Sequence, residues 1–223
     1  MMKVFFTSIF LGIAALLSFM GLEPSMIFAG SQATSSASLT VTNEISLSGC
    51  QGAEVLTPAL DLTNQVAVAT ATQCTVSSND PDGYQLIVKA TNSPAMVRQG
   101  GGGADAQFTD ATSSWPQLWA SLAPSATQKV FAYSAYGDDI SGGGSKYGSF
   151  AGSCGSSGGS SFNSPLNSRW QGFTTTGTST MDVTADTGLG RNSRLCLVAM
   201  RGSAATLNAG TYTAGIVYTA TVK

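Results

Sequence analysis

The sequence predicts an all-β chain, an immunoglobulin-like antiparallel β-sandwich with long Gly/Ser-rich loops. Apolar residues alternate with Thr and Ser in short runs, most fully in Tyr212-Thr-Ala-Gly-Ile-Val-Tyr-Thr-Ala-Thr-Val222, the two-residue period of a strand with one buried face. About eight such runs are divided by Gly- and Pro-containing turns, the rhythm of a sandwich. Helical periodicity is scarce, and only the neighbourhood of Trp119 to Leu122 can form a turn or two.

Residues 1–29 read as a secretory signal peptide. Lys3 leads an apolar run that continues through Met20, and Ile27-Phe28-Ala29 before Gly30 has the small residue of a cleavage site. A retained signal anchor is the alternative, because roughly 16 to 19 largely apolar residues approach the length that crosses a bilayer. Either way the expected location is secreted or cell-surface, with membrane contact only through this segment. Residues 30–38 form a polar, small-residue spacer. The sandwich domain is expected over 39–223, with insertions at 92–128 and 137–177.

The first β pattern is Leu39-Thr-Val41-Thr, resumed by Ile45-Ser-Leu47-Ser ahead of Cys50. In the run from Val66 to Val76, strict alternation puts Val66, Val68, Cys74 and Val76 on one side if no bulge intervenes. Asn79-Asp-Pro-Asp-Gly83 has turn chemistry, since Pro fixes φ, Gly accepts positive φ and Asn/Asp side chains accept from local amides. With Tyr84, Leu86 and Val88 facing inward after it, it predicts a hairpin from Cys74 to Ala90. From Asn92 glycines mix with aromatics, the texture of a long excursion. Val130 to Tyr136 returns to β, with Phe131 and Tyr133 on one face and Val130 and Ala132 on the other. Gly137 to Ser161 holds nine glycines among serines, and Phe162 to Phe173 is irregular. Thr178 to Thr184 makes a short strand, followed by a turn at Asp186-Thr-Gly-Leu-Gly190. Arg194 to Met200 is apolar enough for a central strand, and the closing alternation predicts an edge strand with one wet face.

Charged residues are 10% of the chain and the formal net charge is −2, with no cluster of Lys or Arg. Such a surface attracts polyanions poorly, so nucleic acid is not an expected partner. The chain has no histidine, which removes Ser-His-Asp and Cys-His nucleophile systems and imidazole-dependent zinc sites. Cys50, Cys74, Cys154 and Cys196 are even in number and widely spaced, as disulfides in an exported chain would be. Three pairings exist; sequential closure, Cys50 to Cys74 and Cys154 to Cys196, is topologically simplest. A closed loop of about 25 residues contributes roughly 3 to 4 kcal/mol.

Two acidic groups merit weighing. Asn79, Asp80 and Asp82, and the pair Asp138-Asp139, offer hard oxygens, but neither has the alternating loop that brings about six to eight ligands to calcium. Adjacent carboxylates in extended chain also point apart and cannot flank a glycosidic bond. No metal, cofactor or catalytic residue is therefore expected, and the chain is read as non-enzymatic. Trp115, Trp119, Tyr147 and Trp170 lie in the irregular middle, where exposed rings would form a stacking platform for sugars and buried ones would pack the loops.

The segments Leu39-Thr-Val41-Thr, Asp80-Pro-Asp-Gly-Tyr-Gln-Leu86 and Ala209-Gly-Thr-Tyr-Thr-Ala-Gly-Ile-Val-Tyr-Thr-Ala-Thr-Val222 resemble cell-surface β-sandwich proteins of the WxL-domain type, and also fimbrial, spore-coat-U-like subunits. At the WxL position this chain has Gly83-Tyr84-Gln85-Leu86, with Tyr for the family's Trp. The resemblance implies a structural or adhesive protein at the envelope, whose partner is an envelope component, surface protein or glycan. A carbohydrate-binding module using the loop aromatics is one alternative. Another is a fimbrial subunit that self-associates by strand exchange, with Ser31 to Thr42 as the donated segment.

Overall fold

A computed structural model describes residues 38–50, 52–70, 73–111, 115–140, 146–147, 169–184 and 190–223. The expected signal segment, nearly all of the spacer, the Gly/Ser-rich stretch with Cys154 and most of the turn before Gly190 lie outside the described residues. The chain divides into two compact units, Met1–Val41 and Thr42–Lys223. In the first, residues 38–41 are irregular and exposed, Leu39 at 88% and Val41 at 69%. The strand expected over Leu39 to Thr42 is thus absent: alternation without a partner ladder does not order a chain.

The unit Thr42–Lys223 is an all-β fold of several small sheets. Its first strands are β1 (Ile45–Ser48), β2 (Val66–Thr70), β3 (Cys74–Ser78), β4 (Tyr84–Ala90) and β5 (Met96–Arg98). Short β6 (Thr109–Asp110) and β7 (Gln117–Leu118) follow, then one helical turn, α1 (Trp119–Leu122), where the sequence allows it. The second half supplies β8 (Lys129–Gly137), β9 (Arg169–Trp170), β10 (Thr178–Val183), β11 (Arg191–Arg201), β12 (Tyr212–Ala214) and β13 (Ile216–Val222).

The largest sheet runs β1-β3-β11-β8-β6, with β2 also on β11; a second runs β10-β4-β13, and two ribbons pair β12 with β5 and β7 with β9. All these pairs are antiparallel except β6 with β8. As expected, β11 is central, bonded to β2 and β3 along one edge and to β8 along the other. The closing run is an edge, but it breaks at Gly215 into β12 and β13 because residues 91–95 bulge between their partners β5 and β4.

Two expectations fail for reasons of pairing. The turn at Asn79 to Gly83 forms, with Asp80 accepting from the Asp82 amide at 2.9 Å and Gly83 at φ +88°. Yet β3 and β4 enter different sheets, so Cys74 to Ala90 is an arch rather than a hairpin. Likewise Val66 and Val68 do not share a face with Cys74 and Val76. Thr70 pairs with Cys196 and Cys74 with Ser193, so four steps on one strand oppose three on β11. One extra residue reverses the facing of everything beyond it.

That reversal feeds two cores. The larger takes Cys74 and Val76 of β3, Phe131, Tyr133 and Ala135 of β8, and Leu195, Leu197 and Ala199 of β11, together with Tyr84, Leu86, Val88 and Ala90 of β4. Both principal sheets therefore contribute to it. The smaller lies on the other side of β2, β8 and β11, where Val68, Ala132, Cys196, Val198 and Met200 meet Leu122 and Trp170. The β9 segment that carries Trp170 is bound to β8 by reciprocal Tyr133–Gln171 backbone bonds of 2.8 Å. Part of the stretch read as irregular thus caps the sheet's outer face. Cys50 and Cys74 form the expected disulfide, Cα atoms 4.4 Å apart. Cys196 is also disulfide-bonded, and its expected partner Cys154 lies outside the described residues.

Candidate functional site

The four rings proposed as a ligand platform do not share a surface. Trp115 is 57% exposed, and Trp119 is the first residue of α1. Tyr147 and Trp170 are fully buried, which corrects their reading as platform residues: a ring enclosed by protein has no face left for a sugar. Tyr147 belongs to the larger core, where its hydroxyl donates to Gln171 Oε1 at 3.1 Å and lies 3.4 Å from the Tyr133 hydroxyl. Burial pushes the pKa of both phenols upward, so they remain neutral donors.

Three of the acids weighed for chemistry, Asp80, Asp138 and Asp139, bond to neighbouring elements. Asp80 is fully buried and accepts from Asn43 Nδ2 at 2.7 Å as well as from the Asp82 amide. Asn79 Oδ1 accepts from the Glu44 amide at 2.6 Å, fastening the entry of β1 to the arch. At the end of β8, Asp138 accepts from the Asn192 amide at 3.0 Å. Its neighbour Asp139, held at φ +53°, accepts from the Tyr84 hydroxyl at 3.2 Å and meets Arg191 Nε at 3.3 Å. Adjacent Gly137, at φ +132°, must be glycine, since a Cβ there would run into the Asn192 carbonyl. Tyr84 is the residue at the WxL-like position; burial first, then the Asp139 charge, raises its phenol. Among the described residues there is no group of three or more acids or cysteines that could hold a metal ion.

A concave feature lies elsewhere, on the edge strand. β13 pairs with β4 from Ile216↔Ala90 to Val222↔Tyr84. Its other edge runs near β1, and among the described residues no ladder joins the two. Beside this edge is a cavity of about 240 Å³. Its lining includes buried Phe131 and Leu197 together with Glu54, Leu56, Ile216 and Tyr218. Burial, followed by the Glu54 charge, pushes the Tyr218 phenol up to about 12. The segment carrying Glu54 is tethered at both ends. Cys50 is bonded to Cys74, and Thr57 exchanges two 2.9 Å backbone bonds with Val68. A strand edge with no second ladder among the described residues, next to a recess lined by both polar and apolar groups, can accept an extended segment with an anchoring side chain.

Sequence reasoning missed this recess because its lining comes from segments more than a hundred residues apart. The only local signal was the closing alternation, which marked an edge. It also missed Asp110, whose carboxylate accepts from the Ala95 amide at 3.0 and 3.3 Å. Burial raises its pKa to about 6, against the lowering effect of that bond. The native state therefore holds a proton between about pH 4 and 6 that the unfolded chain has released, so this group's contribution to stability falls as pH rises through that window. Asp110→Asn keeps an acceptor for Ala95 and removes the desolvated charge. It should raise stability at pH 7 by about 1 kcal/mol after allowance for screening at a half-buried site, and lose that advantage by pH 4. Urea titrations at both pH values check it.

Comparison with protein-family models, curated proteins and solved structures yields no match to this chain.

Proposed function

We propose that this chain is a non-enzymatic structural or adhesion protein of the cell surface, folded as an immunoglobulin-like β-sandwich whose two layers are the β1-β3-β11-β8 and β10-β4-β13 sheets. The observation that supports the reading is the use made of its polar groups. Asp80, Asp138, Asp139 and Tyr84 are engaged in bonds that tie the arch and the strands together. The larger core, filled from both sheets, supports the sandwich. A WxL-like attachment role belongs to the same proposal, with a difference: Tyr84 faces inward and bonds Asp139, so attachment would fall to other surfaces.

Fractionation of the producing cells tests the proposal. The chain should remain with washed surface or wall material, or appear in the medium, with Cys50–Cys74 intact in a non-reducing peptide map. Recovery in the cytoplasm with free thiols would sink it. Glycan retention abolished by Trp115→Ala in a folded protein would instead favour the carbohydrate-binding module.

Strand exchange is a second reading, favoured by the edge of β13, which carries no second ladder among the described residues, and by the exposed alternation at Leu39 and Val41. In it, the segment Ser31 to Thr42 of one copy adds to β13 of another.

A further inference from the structure

We propose that β1 and residues 52–56 form a disulfide-held cover over the edge of β13, and that opening Cys50–Cys74 releases this edge to pair with β13 of a second copy. The inference shares with the strand-exchange reading only the premise that β13 is a pairing surface.

Edge strands present unpaired amides and carbonyls, and proteins protect them with charges, prolines, bulges or a covering segment. The span Ile216-Val-Tyr-Thr-Ala-Thr-Val222 has no charge and no proline, and its register with β4 is unbroken. The residue that follows it, Lys223, is engaged with Asp182, and Lys89 stands opposite Val217 on the already paired β4. A seven-residue, uncharged, β-rich segment pairs readily with its own copy, and two identical antiparallel strands satisfy twofold symmetry. Among the described residues β1 lies next to β13, and Gly52, Ala53, Glu54 and Leu56 share the recess with Ile216 and Tyr218, which makes these segments the candidates for a cover.

The cover is anchored at its ends, by Asn43 and Glu44 on the arch and by Thr57 on Val68, and the covalent bond holds the stretch between them. β1 has four residues, one ladder partner and two half-buried side chains, Ile45 and Leu47. Val55 is 76% exposed. The disulfide joins the end of β1 to the start of β3 and fixes the beginning of the 52–56 segment. An external dithiol opens it: two electrons and two protons pass to the Cys50 and Cys74 sulfurs, the S–S bond breaks to two thiols, and the dithiol becomes a disulfide.

Light scattering after size exclusion tests the inference on the purified chain carrying Cys50→Ser and Cys74→Ser, with the Cys196 bond retained. The variant should double in mass at concentrations where the parent is monomeric, with at least a tenfold tighter self-association. Adding Thr219→Lys, which sets like charges opposite each other at the centre of a symmetric pair, should restore the monomer. Adding Leu39→Asp and Val41→Asp should change nothing; loss of association in that chain would show donated segments at work and overturn the inference. A monomeric variant with native near-ultraviolet dichroism would also overturn it. Should the variant fail to fold, hydrogen exchange of the parent under mild dithiol decides. Amides of β1 and β13 should open well before those of β8 and β11, whereas simultaneous opening defeats the cover.

Discussion

Replacing Phe131 with alanine should lower unfolding free energy by about 4 kcal/mol, within the range for deleting a buried aromatic side chain. Phe131 has no exposed surface, stacks on Phe173 with ring centroids 5.4 Å apart and lines the β13 recess. It stands on the face of β8 that meets the β4 side chains, so no single sheet can close over the space it leaves. Phe131→Leu, which keeps most of the volume, should lose about 1 kcal/mol. Urea unfolding with an unchanged m value reads both. A loss under 1 kcal/mol for the alanine variant would mean that the two sheets do not share a core.

Trp170→Ala should show a loss of similar size, about 3 to 4 kcal/mol, distributed differently over the molecule. Trp170 is fully buried between α1 and the outer face of β2, β8 and β11. Its removal should unseat the cap first. Amides of β7 and β9 should then exchange with solvent at free energies well below the global value, while those of β4 and β13 keep theirs. Equal loss of protection everywhere would show that cap and sheets form one cooperative unit.

Legibility in the sequence followed locality. The faces of β8 and β4 were readable because Phe131, Tyr133, Tyr84, Leu86 and Val88 alternate as the burial does. The arch was misread because Asp80 and Gly83 specify that the chain turns, not which sheet receives it; the partners of β4 are β10 and β13, far along the chain. The slip before Cys74 was hidden by a run of Ala and Thr that tolerates either facing. Trp170 had a readable counterpart. Leu195 to Met200 is apolar at consecutive positions, which requires cover on both faces, and the second cover had to come from the aromatic middle. The candidate site was least legible, because Glu54, Phe131 and Ile216 meet only after folding is complete.

The central place of β11 also decides when this chain can fold. Its ladders with β2, β3 and β8 wait on residues 191–201, so a nascent polypeptide lacking its last fifth has no main sheet to enter. Assembly must come late and slowly, as expected of a topology dominated by distant partners. Until residues 191–201 are made, β2, β3 and β8 lack the strand that joins them into one sheet.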